Sequence, residues 1–326
     1  MEETQTPSPE PPPSQKTPKK NPIGLVAIII LITTKGAKLF KPLKILFALK
    51  YAKTLITVIS MAFSTLLYSI TLGPWFAIGF VLMLFIHEMG HVLALKIRGY
   101  ETSAPIFIPF LGALIFAPKF KSEEDEAFIG YGGPLIGTLG ALALFIILLL
   151  GNPTENPIAL SVSYTAGLIN LFNLIPVSPL DGGRVTSIVS KWFKWLGIAM
   201  FVAFIIFIRE PDTLLLLIFI CMELPINGKL RFGLTATIAV TMTTLLLFGY
   251  SNHHWIANLF YILVSLLWVA AAYLMRDAQL TQEKNLSHIA TSAKIKWFTL
   301  YIGLIGAIIL LMYWQQPYVA QLSHIK

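Results

Sequence analysis

Long stretches without a single Asp, Glu, Lys or Arg, among them residues 54–72, 127–150 and 157–180, limit this chain more than any other feature. Crossing ~30 Å of hydrocarbon as a helix takes about 20 mostly apolar residues. Each stretch has that length, and a helix satisfies its own backbone hydrogen bonds where water cannot. Only 12% of the 326 residues are charged and 56% are hydrophobic, against roughly 25% charged in a soluble domain. A soluble globule is excluded. The sequence predicts an all-α polytopic membrane protein with about eight or nine transmembrane helices and a re-entrant hairpin near 104–118.

The formal charge of +8 does not point to nucleic acid. The Lys and Arg residues collect beside apolar spans, and no basic patch is interleaved with base-stacking aromatics. They act instead as topology charges facing the lipid bilayer, which is the first partner expected. Cys221 is the single cysteine, so no internal disulfide forms. Residues 1–22, rich in Pro, Ser and Lys, have nothing to bury and are expected to be a disordered tail rather than a signal peptide.

Residues 23–53, with Lys35, Lys38, Lys41, Lys44, Lys50 and Lys53 among apolar residues, are expected to lie on the membrane surface. Spans follow at 54–72, 75–97, 127–150 and from Pro157. Shorter runs occur at 195–208 and 213–223, and further candidates at 233–250, 255–275 and 297–314. Lys and Arg concentrate before 54 and in 98–126, 184–194 and 276–296. These segments fall on one side when the spans alternate, which puts the N-terminus toward the cytoplasm.

His87-Glu88-Met89-Gly90-His91 fits H-E-x-x-H. Two His at i and i+4 share a helix face and can grip one zinc ion, with the intervening Glu88 beside the metal as a general base. A carboxylate inside an apolar helix costs ~2.5–3.5 kcal/mol on insertion scales, so Glu88 calls for a role. Catalytic zinc usually takes three protein ligands. Glu101 and the run Glu123 to Glu126 have the character of a solvated face, whereas Asp181 ends the uncharged stretch from Pro157. Counting spans brings Asp181 to the same leaflet as His87 and His91. Pro176 and Pro179 should break the helix before it, and Gly182 and Gly183 permit close packing beside it.

At this point the chain closely resembles the site-2 protease family of intramembrane zinc metalloproteases. The family's HExxH motif corresponds to His87 to His91, and its NxxPxxxLDG motif to Asn173, Pro176, Leu180, Asp181 and Gly182. Gly133-Pro134-Leu135-Ile136-Gly137 is similar to the G-P-x-x-G of the intervening core helix. The resemblance covers roughly 75–190 and implies a three-helix catalytic core within 54–194. It also implies one zinc per chain held by His87, His91 and Asp181, and a transmembrane protein or peptide as substrate, most simply in a prokaryotic cell membrane. The resemblance also suggests that Asn173 bonds the substrate carbonyl or a developing oxyanion; an Asn bonding between helices fits as well. Residues 195–326 form an additional transmembrane module that the core does not explain.

The apolar, Pro-punctuated segment 104–118 lies on the same side as the motif. Its edge, Phe107, Ile108, Pro109 and Phe110, is a candidate for pairing with an extended substrate, and a loop that only caps the cavity fits the same residues. A second class of protein, a non-proteolytic zinc-binding or zinc-transporting membrane protein, would need the same ligands. Glu88 separates the two, because proteolysis requires it and metal binding does not. His253 and His254, adjacent and on the opposite side, read as surface residues.

Overall fold

A computed structural model describes residues 52–109, 112–114, 120–208, 216–223, 228–249, 262, 266 and 289–323. The tail 1–22, nearly all of 23–53, Phe110, His253 and His254, and the span expected at 255–275 apart from residues 262 and 266 lie outside them.

Helix α1 (Ala52–Leu72) stops at Gly73, whose φ of 79° suits a residue without a Cβ. Pro74 then opens α2 (Pro74–Ile97) from the first helical position, where its missing N–H costs nothing. The far end of α2 closes on Gly99 (φ 72°), with Tyr100 N–H donating to Leu95 O at 2.9 Å in a Schellman-type cap.

Helix α3 (Glu123–Leu149) begins four residues before the uncharged stretch. The Ser122 hydroxyl accepts from Asp125 N–H at 3.1 Å, and four acids occupy the positive first turn. Asp125 is thus a buried structural residue and not part of a solvated face. Its carboxylate accepts from the Tyr100 hydroxyl at 2.8 Å and pairs with Arg98 at 3.3 Å. Those contacts bolt the end of α2 to the start of α3. Burial, and then the bond to Asp125, push the Tyr100 phenol above its ordinary pKa.

The expected fourth span is shorter than its apolar stretch. Helix α4 (Pro157–Asn173) ends before the prolines, residues 174–180 are irregular, and α5 (Asp181–Val189) starts on the acid itself. Helices α6 (Phe193–Ile208), α7 (Leu216–Glu223) and α8 (Gly228–Gly249) follow. Helix α9 (Thr291–Ser323) runs well past the apolar run at 297–314. It can do so because Gln315, wholly buried, donates to Ser163 Oγ at 2.8 Å, which donates in turn to Ala141 O.

Among the described residues, four helical segments are long and apolar enough to cross a membrane: Thr54–Leu72, Pro74–Ile97, Glu123–Leu149 and Thr291–Leu322. The 17 residues of α4 extend only ~25 Å. The fold is mostly helical but not all-α. Within the expected hairpin, β1 (Ile106–Ile108) and β2 (Gly112–Leu114) pair antiparallel, Phe107 opposite Ala113.

Helix α3 is the hub, packed against α2, α4, α5 and α9. Gly130, Gly133, Gly137 and Gly140 recur at helical spacing along it, and a side chain on any of them would overlap Arg184, His91, Asn170 or Ile86 respectively. Gly90 of α2 lies against the backbone of Gly132 and Gly133. A methyl there must push two backbones apart, and overpacking of this kind costs about 1–3 kcal/mol. Gly90→Ala is therefore expected to lower the thermal melting temperature of the detergent-solubilised protein by several degrees. Gly303→Ala in α9, where nothing lies within 4 Å, should leave it unchanged or slightly higher.

Candidate metal centre

Three side chains meet where α2, α3 and α5 converge. His87 and His91 are one turn apart on the buried face of α2, and Asp181 is the first residue of α5. His87 Nε2 lies 3.2 Å from Asp181 Oδ2 and 3.2 Å from His91 Nε2. His91 Nε2 lies 3.2 Å from the same Asp181 oxygen. The three atoms form a near-equilateral triangle, and all three residues are buried, 4%, 6% and 6% exposed.

The other ring nitrogens show what that triangle is for. His87 Nδ1 donates to Asn170 Oδ1 at 2.7 Å, and His91 Nδ1 donates to Ile129 O at 2.7 Å. With the proton on Nδ1, each neutral imidazole turns the lone pair of Nε2 into the triangle. Two imidazole lone pairs and a carboxylate oxygen facing one another repel unless a cation lies among them. Tetrahedral zinc with bonds of ~2.0–2.1 Å separates its ligands by about 3.3 Å, so the residues present fit that ion. Among the described residues this is the one group of three or more His, Cys, Asp or Glu side chains close enough to share an ion.

Several devices hold the ligands. The Asn170 side chain is itself fixed, its Nδ2 donating to Ala166 O at 2.8 Å, so that Oδ1 and not the amide nitrogen faces His87. Gly133 gives the His91 ring its space, and Gly137 does the same for Asn170. Gly182 allows α5 to press against the carbonyls of Leu174 and Ile175. Glu88 is buried too, 9% exposed, with the ionisable side chains of His91, His87, Asp181 and Arg184 as its neighbours.

Asn173, the candidate for substrate contact, is half-buried and donates to Ile169 O of its own helix at 3.1 Å. Asn170 is the asparagine that reaches the centre. Sequence reasoning passed over it, although it continues the row Ser163, Ala166, Gly167 at i, i+3, i+4 and i+7, and all four are buried.

The candidate substrate edge is placed differently from expectation. Phe107 N–H donates to Ser60 Oγ at 3.0 Å, and the Thr57 hydroxyl donates to Pro105 O at 2.7 Å. The outer edge of β1 is therefore occupied by α1. Phe107 is buried near Phe85, Ile108 is half-buried and Pro109 buried. Since Phe107 N–H points away from β2, Phe107 and Ala113 form a non-hydrogen-bonded pair, and the Ala113 N–H and C=O also point outward. β2 itself packs against α2.

No family model matches the chain. It is 32% identical over 164 residues to zinc metalloprotease MJ0392 of Methanocaldococcus jannaschii, covering 49% of this chain and 47% of that protein. It is likewise 32% identical over 123 residues to Rip3 of Mycobacterium tuberculosis, covering 35% of this chain and 30% of that protein. The chain thus spans less than half the length of these curated relatives. A solved structure, Site-2 Protease from Methanocaldococcus jannaschii, aligns with 70% of this chain and 91% of its own length at 20% identity, with a TM-score of 0.40.

Outer partners of metal-binding histidines are typically worth 10–100-fold in affinity. Asn170→Leu, which leaves His87 Nδ1–H without an acceptor, should weaken zinc retention by about that factor in competition with a chelator. Asn170→Asp, which keeps an acceptor oxygen, should retain zinc nearly as well as the native chain.

Proposed function

We propose that this chain, which resembles the site-2 protease family in both of its motifs and is similar to a named zinc metalloprotease, hydrolyses peptide bonds of membrane-embedded substrate segments. The observation that carries this reading is the buried triangle of His87, His91 and Asp181, with Glu88 on the same helical turn. His87, His91 and Asp181 would hold one zinc ion per chain, which supplies Lewis acidity that acidifies water and polarises a scissile carbonyl. The Glu88 carboxylate takes the proton from the attacking water and returns it to the leaving amine nitrogen, a transfer typically contributing ~10²–10⁴-fold. The apolar walls of α2, α3 and α4 keep bulk water from the reacting groups. The N-terminus and the site face the cytoplasm, as the Lys and Arg distribution suggests.

A helical substrate hides its carbonyls in its own hydrogen bonds, so it must be extended before attack. The backbone N–H and C=O of Ala113, which point away from β1, offer an edge for it, in place of the Phe107 edge of β1 that α1 covers. Strand addition there would present the substrate backbone beside α2.

Glu88→Gln should abolish cleavage of a transmembrane substrate in proteoliposomes while zinc stays bound at one ion per chain. A Gln variant that cleaves at the native rate would overturn the mechanism, and zinc flux persisting in that variant would favour transport. Ala113→Pro removes the outward N–H of β2 and should lower kcat/KM about tenfold or more, the worth of one lost hydrogen bond at an apolar site. Unchanged cleavage would exclude pairing on this edge.

A further inference from the structure

We infer that Glu223, on α7 in the module after residue 195, is a positioning residue for the metal centre: its carboxylate holds the segment that presents Asp181. The inference rests on the metal-site reading above and assigns part of the C-terminal module a place in that site.

Residues 174–180 join α4, which carries Asn170, to α5, which begins with Asp181. The segment is irregular, so each of its backbone N–H groups needs a partner in an apolar setting. Pro176 and Pro179 have none to satisfy. Leu174 donates to Asn170 O, Ile175 to Phe172 O, Val177 to Ile175 O and Leu180 to Val177 O. Ser178 N–H, three residues before Asp181, instead donates to Glu223 Oε1. It is thus the one N–H of this segment that depends on a side chain from another helix.

Glu223 is 8% exposed and ends the otherwise uncharged helix LLIFICME. A carboxylate in such surroundings is costly and is retained where a partner needs it. Around the contact, Ile175, Val177 and Leu180 pack with Phe201 of α6 and with Leu216, Phe219 and Ile220 of α7. Gly197 of α6 lies so close that a methyl on it would overlap Val177. From α9 the Tyr301 hydroxyl donates to Leu174 O. The segment is therefore gripped from α6, α7 and α9, and among these contacts that of Glu223 is the charged one.

The test is zinc affinity of the full-length chain in detergent, by competition with a chelator of known affinity. Glu223→Ala should bind zinc about 10–100-fold more weakly than native, whereas Glu223→Gln, which keeps an acceptor oxygen, should stay within about threefold. In peptide cleavage at saturating zinc, the Ala variant should lose kcat with little change in KM. Native affinity in Glu223→Ala overturns the proposal. Should that variant fail to fold, Glu223→Asp, which withdraws the acceptor by one methylene, takes its place with the same expected weakening, and an unweakened Asp variant overturns it equally. A native chain that binds no zinc overturns both this inference and the proposed function, so the two failures are distinguishable.

Discussion

Three lone-pair-bearing atoms held 3.2 Å apart in an apolar interior are the constraint on which the rest of this structure depends. Burying an ionised carboxylate costs several kcal/mol even after relaxation. The surrounding protein contains features suited to a cation that offsets that cost. Both imidazoles have their Nδ1 protons drawn away from the centre, one by Asn170 and one by the Ile129 carbonyl. An arrangement meant to be satisfied by hydrogen bonds alone would have turned at least one donor inward. The geometry favours metal over protons as the occupant.

Such a convergence requires helices closer than ordinary side chains allow, and α3 provides that through its glycines. The row Gly130, Gly133, Gly137 and Gly140 removes a methyl at each place where another element must enter. In a bilayer, where apolar burial does not drive helices together, close backbone approach and interhelical hydrogen bonds carry association. The same small residues that let the helices meet also open the volume that His91 and Asn170 occupy. Packing and site construction are one feature of the sequence here, not two.

How much could be read beforehand follows from which interactions are periodic. The His87, Glu88 and His91 cluster was legible because helical spacing alone puts i and i+4 on one face, and Asp181 because a lone acid ends a long uncharged stretch. The helix ends at Gly73 and before Pro176 were legible from backbone chemistry. Asn170 was obscured by Asn173, which shares its helix and fits the familiar motif; only the buried row from Ser163 distinguishes them. The early start of α3 was hidden because four acids resemble a surface loop until Ser122 is recognised as their cap. The blocked edge of β1 was illegible in principle, since it depends on Thr57 and Ser60, about fifty residues earlier in the chain.

The irregular segment 174–180 shows why the helices beyond residue 195 cannot be treated as an appendage. A continuous helix from Pro157 would have carried Asp181 onward along its axis. Ending it at Asn173 and restarting at Asp181 instead aims the carboxylate at α2. That break exchanges the regular hydrogen bonds of a helix for contacts that must come from elsewhere, and non-helical backbone at membrane depth is tolerated only where protein surrounds it. The surrounding protein here is α6, α7 and α9, through Gly197, Glu223 and Tyr301. The motif-bearing helices supply the candidate ligands, but Asp181 is presented by a segment held by residues that no metal-binding motif contains.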